Sequence, residues 1–199
     1  VASAVAGKTG APLVLLDSQT SQATANAIDY IKTNIPKTSD LNVIGGTGVV
    51  TNDTVDIING IITGKPIVSF KDKNLEEAVR DSIDKPNGTL YKSDVEKITV
   101  LSAQDRGIKD ISGIENLTNL QSLALYSNQI SDISMVKDLT NLQELYLDSN
   151  KISDINGLKG LTNLESLFLA DNQISDISGL KDLTNLQTLY LQNNQISDI

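Results

Sequence analysis

Hydrophobic and polar positions recur at a fixed interval in the second half of the chain. The pattern LTNLxxLxLxxNxISDI occurs four times, 22 residues apart, beginning at Leu117, Leu139, Leu161 and Leu183. A weaker copy fills residues 95–116, where Ala103 and Arg106 replace a leucine and an asparagine. This spacing predicts about five stacked turns over residues 95–199, the last one truncated, with leucines and isoleucines buried between neighbouring turns.

The polar positions inside the repeat are predicted to be structural. L-x-x-L-x-L-x-x-N is the leucine-rich repeat signature, so each turn should add one short strand to a right-handed solenoid with a 22-residue period. An amide both donates and accepts, and the asparagine of each turn should therefore bond backbone groups where the chain leaves the strand. These asparagines are Asn128, Asn150, Asn172 and Asn194.

Each turn also carries a Ser-Asp pair. An aspartate in a tight turn usually bonds nearby backbone amides, and we expect that role here. The alternative is a calcium ladder, although calcium ligands usually cluster within one loop. The aspartates concerned are Asp110, Asp132, Asp154, Asp176 and Asp198.

Outward positions of the strands carry a candidate binding patch. Alternation along each strand places four of the seven aromatic residues on the concave sheet, with acidic residues around them. Clustered exposed aromatics on a rigid sheet favour a protein or glycan ligand. The alternative is that aromatic residues simply favour strands. The predicted patch consists of Tyr126, Glu144, Tyr146, Asp148, Phe168 and Tyr190.

Residues 1–64 are predicted to form a partial α/β module. The runs 12–16 and 41–44 are typical of buried strands, and residues 20–34 and 52–62 are typical of helices. Strand–helix–strand–helix order implies a parallel, Rossmann-like layer.

Residues 65–94 are predicted to be a helical cap that covers the first turn of the solenoid. We expect a short strand over 67–70 and a helix over 74–83 with Leu75, Ala78, Val79 and Ile83 on one face. A second short helix should begin at Ser93 or Asp94.

Composition argues against catalysis and cofactors. The chain has no histidine and no cysteine, which removes imidazole and thiolate chemistry and histidine or cysteine metal sites, and we expect no cofactor and no metal. Residues 6–9 (AGKT) lack the glycine of a P-loop at position 2 and follow no predicted strand, and residues 45–48 (GGTG) lack the third glycine of a dinucleotide site. The net charge of −9 falls mostly on the repeats, which excludes nucleic acid as a partner, and no apolar run could span a membrane.

Two parts of the chain resemble known families. Residues 66–199, with the lead-in FKDKNLEEAVRDSI and the LTNLxxLxLxxNxISDI repeat, resemble internalin-type surface proteins of Gram-positive bacteria. Residues 1–62 resemble the second half of a type 2 cell-wall-binding repeat, through AGKTGAPLVLLDSQT, TANAIDYIK and VIGGTGVVTNDTVDII. The second resemblance implies noncovalent attachment to an anionic wall polymer.

The resulting hypothesis is a secreted, non-catalytic protein of a Gram-positive cell wall. Its α/β module would contribute to anchoring, and its solenoid would present the patch to a protein or glycan. One alternative is the targeting region of an amidase-like wall hydrolase whose catalytic domain lies outside this chain. Another is a nucleotide-binding α/β protein, which requires Gly46 and Gly48 to contact phosphate. We also expect the native protein to extend beyond both ends of this chain.

Overall fold

The computed structural model describes residues 3–5, 14–16, 60 and 64–197. The chain divides into two compact units, Val1–Ile67 and Val68–Ile199. In the first unit, strand β1 (Ser3–Val5) pairs antiparallel with β2 (Val14–Leu16), with Ser3 opposite Leu16. The sequence predicted β2 but not β1, so this antiparallel partner of β2 was not expected; the parallel layer expected from residues 12–16 and 41–44 stays a prediction. Apart from residue 60, which is helical, the expected helices and the strand over 41–44 lie outside the described residues.

This pairing also corrects one argument against a phosphate site. Strand β1 ends directly before the AGKT segment, so the expectation that no strand precedes this segment is wrong. The missing glycine at position 2 still separates the segment from a P-loop. The glycines at 45–48 lie outside the described residues.

The second unit begins with a helical cap. Helix α1 (Lys73–Ser82) buries Leu75, Ala78 and Val79, as predicted, and helix α2 spans Lys92–Val95. The strand expected over 67–70 is instead a single bridging residue, Ile67, followed by a hydrogen bond from Val68 N to Leu90 O. No helix among the described residues has the length and apolar character that crossing a bilayer requires.

A parallel five-stranded sheet follows, in which each strand pairs with the next along the chain. Equivalent residues of successive repeats lie opposite one another, as Leu123 does to Leu145 and Leu145 to Leu167. Backbone hydrogen bonds continue this ladder past the strand ends, as from Leu125 N to Tyr146 O and from Ser127 N to Asp148 O. The strands are β3 (Val100–Ser102), β4 (Ser122–Ala124), β5 (Glu144–Tyr146), β6 (Ser166–Phe168) and β7 (Thr188–Tyr190).

The return segment of each of the first four turns contains a short 3-10 helix, and the core lies between these segments and the sheet. Leu120, Leu123, Leu125 and Ile130 are fully buried, as the repeat predicted. Each such aliphatic side chain contributes roughly 1.5–3 kcal/mol on burial, so stacking of turns is the main stabilising interaction. Within residues 64–197 the 3-10 helices are Ile114–Asn116, Ser134–Asp138, Asn156–Leu158 and Ser178–Leu180.

The buried asparagines join consecutive turns, which confirms their predicted role. Asn150 Nδ2 donates to the carbonyl oxygens of Leu125 (3.0 Å), Leu147 (3.0 Å) and Asp148 (3.2 Å). Its Oδ1 accepts from Ile130 N at 3.0 Å. A single amide therefore satisfies backbone groups from two turns that water cannot reach.

The repeated aspartates bond nearby amides, as predicted. Asp132 Oδ1 accepts from Ser134 N at 2.8 Å, and Asp176 Oδ1 accepts from Ser178 N at 2.7 Å. Hydrogen bonds from the backbone and then the hydroxyl of Ser134 lower the pKa of Asp132 below its ordinary value. Asp198 lies outside the described residues.

Polar contacts hold the cap to the first turn. Arg106, which stands where the later turns carry asparagine, places its Nη2 2.9 Å from the carboxylate of Asp81 on α1. Asp72 caps α1 through Asn74 N (2.9 Å) and also accepts from Lys109 N (2.8 Å). Burial alone would raise the pKa of Asp72, but the backbone N–H groups of Lys109, Asn74 and Asp110 lower it.

Candidate ligand-binding face

Three aromatic rings stack in a column on the outer face of the sheet, and we call Tyr146, Phe168 and Tyr190 the ring column. The centroids of Tyr146 and Phe168 are 4.7 Å apart, and those of Phe168 and Tyr190 are 4.9 Å apart. The interplanar angles are 16° and 12°. These separations match the spacing of hydrogen-bonded strands, about 4.8 Å, because parallel register places the three residues side by side.

Stacking determines which surfaces of the rings are accessible. Tyr146 and Phe168 are half-buried, and Tyr190 is 46% exposed. Because both sides of the Phe168 ring face another ring, only its edge can meet a ligand. The column therefore presents ring edges and two hydroxyl groups, and a flat sugar ring has little access to the inner ring faces.

A carboxylate borders the first ring of the column. Glu144 Oε2 accepts from Ser122 Oγ at 2.9 Å and from the hydroxyl of Tyr146 at 3.4 Å. Burial raises the pKa of Tyr146, and the charge of Glu144 and this hydrogen bond raise it further. Since Glu144 itself is exposed, its carboxylate is accessible to a cationic group.

Asp148 is an acidic residue of the predicted patch, and burial disfavours the ionised form of its carboxyl group. Its pKa is raised above the ordinary value mainly by burial, while a hydrogen bond from Ala170 N (2.9 Å) acts in the opposite direction. The nearby charge of Asp171 raises the pKa further. Asp148 is thus a negative charge that a cationic ligand would stabilise.

The strand segments carry charge of one sign. Residues 99–105, 121–127, 143–149, 165–171 and 187–193 contain no lysine or arginine. Their acidic residues are Asp105, Glu144, Asp148, Glu165 and Asp171. Among the described residues, no group of three or more acidic side chains has a geometry that could hold a metal ion.

The family model for leucine-rich repeats in two copies matches residues 96–137, 118–160 and 162–199, together just over half of the chain. The chain belongs to the leucine-rich repeat family. This confirms the interpretation of the repeat from its sequence pattern.

Solved structures of leucine-rich repeat proteins are similar to this chain. One is an internalin (InlF) from Listeria monocytogenes, with a TM-score of 0.56 and 33% identity over 65% of this chain and 46% of the internalin. Another is a leucine-rich repeat protein of Leptospira interrogans, with a TM-score of 0.51 and 29% identity over 53% of this chain and 28% of that protein. This chain therefore spans less than half the length of either protein. No curated protein sequence shows a significant match.

The structure of this leucine-rich repeat chain brings the predicted patch residues together unevenly. Tyr146, Phe168 and Tyr190 form the ring column, and Glu144 contacts its first member. Tyr126 is half-buried and stacks on none of the three rings, since it occupies the strand position of Asp148. The sequence pattern did not identify Ser122, whose hydroxyl donates to the Glu144 carboxylate. The one signal in the sequence for this contact is that Ser122 and Glu144 occupy equivalent positions of successive repeats.

Proposed function

We propose that this chain is the ligand-binding part of a non-catalytic surface protein, in which the leucine-rich repeat sheet contacts a protein. The ring column carries this proposal, because three half-exposed aromatic rings lie on a rigid sheet and are bordered by carboxylates. Aromatic side chains are enriched among the residues that dominate binding energy at protein interfaces. The limited access to ring faces favours a protein over a glycan.

The test compares the ring column with a matched set of exposed residues. The whole chain would be applied to arrays of purified extracellular proteins and of glycans, together with the triple variant Tyr146→Ser, Phe168→Ser and Tyr190→Ser. The control variant replaces one exposed lysine in each of three turns, as Lys137→Ser, Lys159→Ser and Lys181→Ser. We expect a protein ligand that binds the wild-type and control chains and loses at least about tenfold in affinity for the triple variant.

Stability of the triple variant must be measured in the same series. Each ring stack is worth roughly 0.5–1.5 kcal/mol, so losing both costs about 1–3 kcal/mol. Urea unfolding shows whether the variant remains folded at the assay temperature. Equal binding by a folded triple variant would contradict the proposal, and so would ligands found only on the glycan array.

Attachment to a Gram-positive cell wall is the second part of the proposal. It rests on the motifs of residues 1–62 that resemble a type 2 cell-wall-binding repeat, and it makes the protein a secreted one. The whole chain should sediment with purified Gram-positive walls and fail to sediment after the anionic polymers have been extracted. Equal sedimentation with both preparations, or with neither, would contradict the anchoring role.

A further inference from the structure

The ring column ends at Tyr146, because the next residue in the register is Ala124, and this leaves a shelf beside the Tyr146 ring. Ala124 lies opposite Tyr146 in the register, and Ser102 lies opposite Ala124. Two neighbouring strands thus present a methyl and a hydroxymethyl group where the next three present rings. At about 4.8 Å per strand the shelf is roughly 10 Å long. We define the arginine shelf as Ser102, Ala124 and the side of the Tyr146 ring that faces Ala124.

We infer that the arginine shelf binds an arginine side chain of a basic protein segment, stacked on Tyr146 as a fourth layer of the ring column. This inference rests on the proposed function and names the chemistry of its partner. Within residues 64–197 Phe168 is the one ring stacked on Tyr146, and no cation lies over Tyr146. Neighbouring strands place one ring per turn, 4.7 to 4.9 Å apart. The same spacing leaves room over Ala124 for one planar group about as thick as an aromatic ring.

Charge selects a cation as that planar group. The strand segments carry five carboxylates and no lysine or arginine. Glu144 borders the shelf, and its two hydrogen bonds there both use Oε2. Oε1 of the same carboxylate can accept from a guanidinium that lies over Ala124.

Shape then selects arginine over lysine. A guanidinium is planar, stacks on aromatic faces and donates to carboxylates through a fixed fork, whereas an ammonium is a compact and strongly hydrated point charge. A cation over a tyrosine ring gains attraction from the ring quadrupole. Both contacts are available together beside Tyr146, the first ring of the column, which Glu144 borders.

The experiment titrates the isotopically labelled whole chain with the peptide acetyl-Gly-Arg-Gly-amide and follows the spectra by NMR. Matched peptides carry lysine or citrulline, the latter being planar and uncharged. We expect the arginine peptide to shift the Ala124 methyl and Tyr146 ring signals in a saturable, salt-sensitive manner. Its affinity should exceed that of the lysine and citrulline peptides by at least about threefold, and a lysine peptide that binds equally well would overturn the preference for arginine.

Two variants test the location of the site. Ala124→Tyr extends the ring column into the shelf, and Tyr146 and Tyr190 show that the sheet accepts tyrosine at this position. It should weaken arginine binding by at least about fivefold, whereas Gln192→Tyr, which adds a tyrosine elsewhere on the strands, should not. Glu144→Gln should weaken binding about threefold and reduce its salt dependence, and this holds even if Ala124→Tyr fails to fold.

Each outcome decides for or against the shelf. Equal binding of the arginine and citrulline peptides, no saturable shift at Ala124, or unchanged affinity in folded Ala124→Tyr would overturn the inference. A protein ligand from the arrays that depends on the ring column but tolerates Ala124→Tyr would also overturn it while leaving the proposed function standing. Array ligands that ignore the ring column would overturn the proposed function instead.

Discussion

Replacing Asn150 with alanine should destabilise the repeats more than any surface substitution. The side chain of Asn150 is 9% exposed and makes four hydrogen bonds to the backbone. After truncation, the carbonyls of Leu125 and Leu147 keep one partner each, from Asn128 and Asn172. The buried N–H of Ile130 loses its acceptor.

The magnitude follows from this asymmetry. A buried N–H without an acceptor costs roughly 1–3 kcal/mol, and each hydrogen bond lost from a carbonyl that keeps a second partner costs about 0.5 kcal/mol, the low end of the usual range. A small cavity adds to these losses. We therefore expect Asn150→Ala to lower the free energy of unfolding by about 3–5 kcal/mol, a large share of the 5–15 kcal/mol typical of a domain.

Urea unfolding followed by far-ultraviolet circular dichroism measures this change, and an unchanged m-value shows that the same surface unfolds. Asn194→Ala is the matched control, because Asn194 makes the equivalent bonds but is only half-buried, so water can replace them. We expect about 1–2 kcal/mol for the control. If Asn150→Ala costs no more than Asn194→Ala, the asparagines do not stabilise the stack by satisfying buried backbone groups.

Three further predictions concern the cap, the turns and the patch. Asp72→Ala should lower the free energy of unfolding by about 1–2 kcal/mol, because it removes the N-cap of α1 and the acceptor of Lys109 N. Urea titrations measure this change, and a loss below about 0.3 kcal/mol would refute the prediction. Ser149 has a φ of 55°, in the left-handed region that valine disfavours and asparagine tolerates. Ser149→Val should therefore lower the free energy of unfolding by roughly 1–2 kcal/mol, whereas Ser149→Asn should leave it almost unchanged. Equal effects of the two substitutions in urea unfolding would contradict this reasoning. Burial raises the pKa of Asp148 in the folded chain above its value in the unfolded chain. Protonated Asp148 therefore stabilises the fold at a pH below the unfolded-state pKa, and this stabilisation is lost as the pH rises through the folded-state pKa. Asp148→Asn should then stabilise the chain at pH 7 and lose this advantage near pH 3, as pH-dependent unfolding would reveal.

The repeat architecture could be predicted because each position has one dominant physical role. Leucine at 123 and asparagine at 128 recur in every full repeat, and local periodicity is enough to place them inside. Arg106 could be interpreted in the same way, since its departure from asparagine coincides with the cap that it pairs with. Residues 1–64 lack such repetition, and the sequence missed β1 because the short run SAV has no periodic pattern around it.

Side-chain contacts between turns were harder to predict. The sequence places Tyr146 and Phe168 at equivalent outward positions, but it does not specify that the rings stack instead of lying flat on the sheet. The bond between Ser122 and Glu144 likewise depends on rotamers, which hydrophobic periodicity does not determine. Local periodicity thus placed these residues at outward positions of the strands, and the contacts between their side chains became apparent only from the geometry across strands.

The ring column also gives the molecule an optical reporter of its own. The chain has no tryptophan, and two of its five tyrosines lie in the column. Aromatic transitions held nearly parallel, at 4.7 and 4.9 Å, couple with one another in a chiral environment. Near-ultraviolet dichroism should therefore report on the packing of the last three turns, and a docked ligand should alter this signal without any added label.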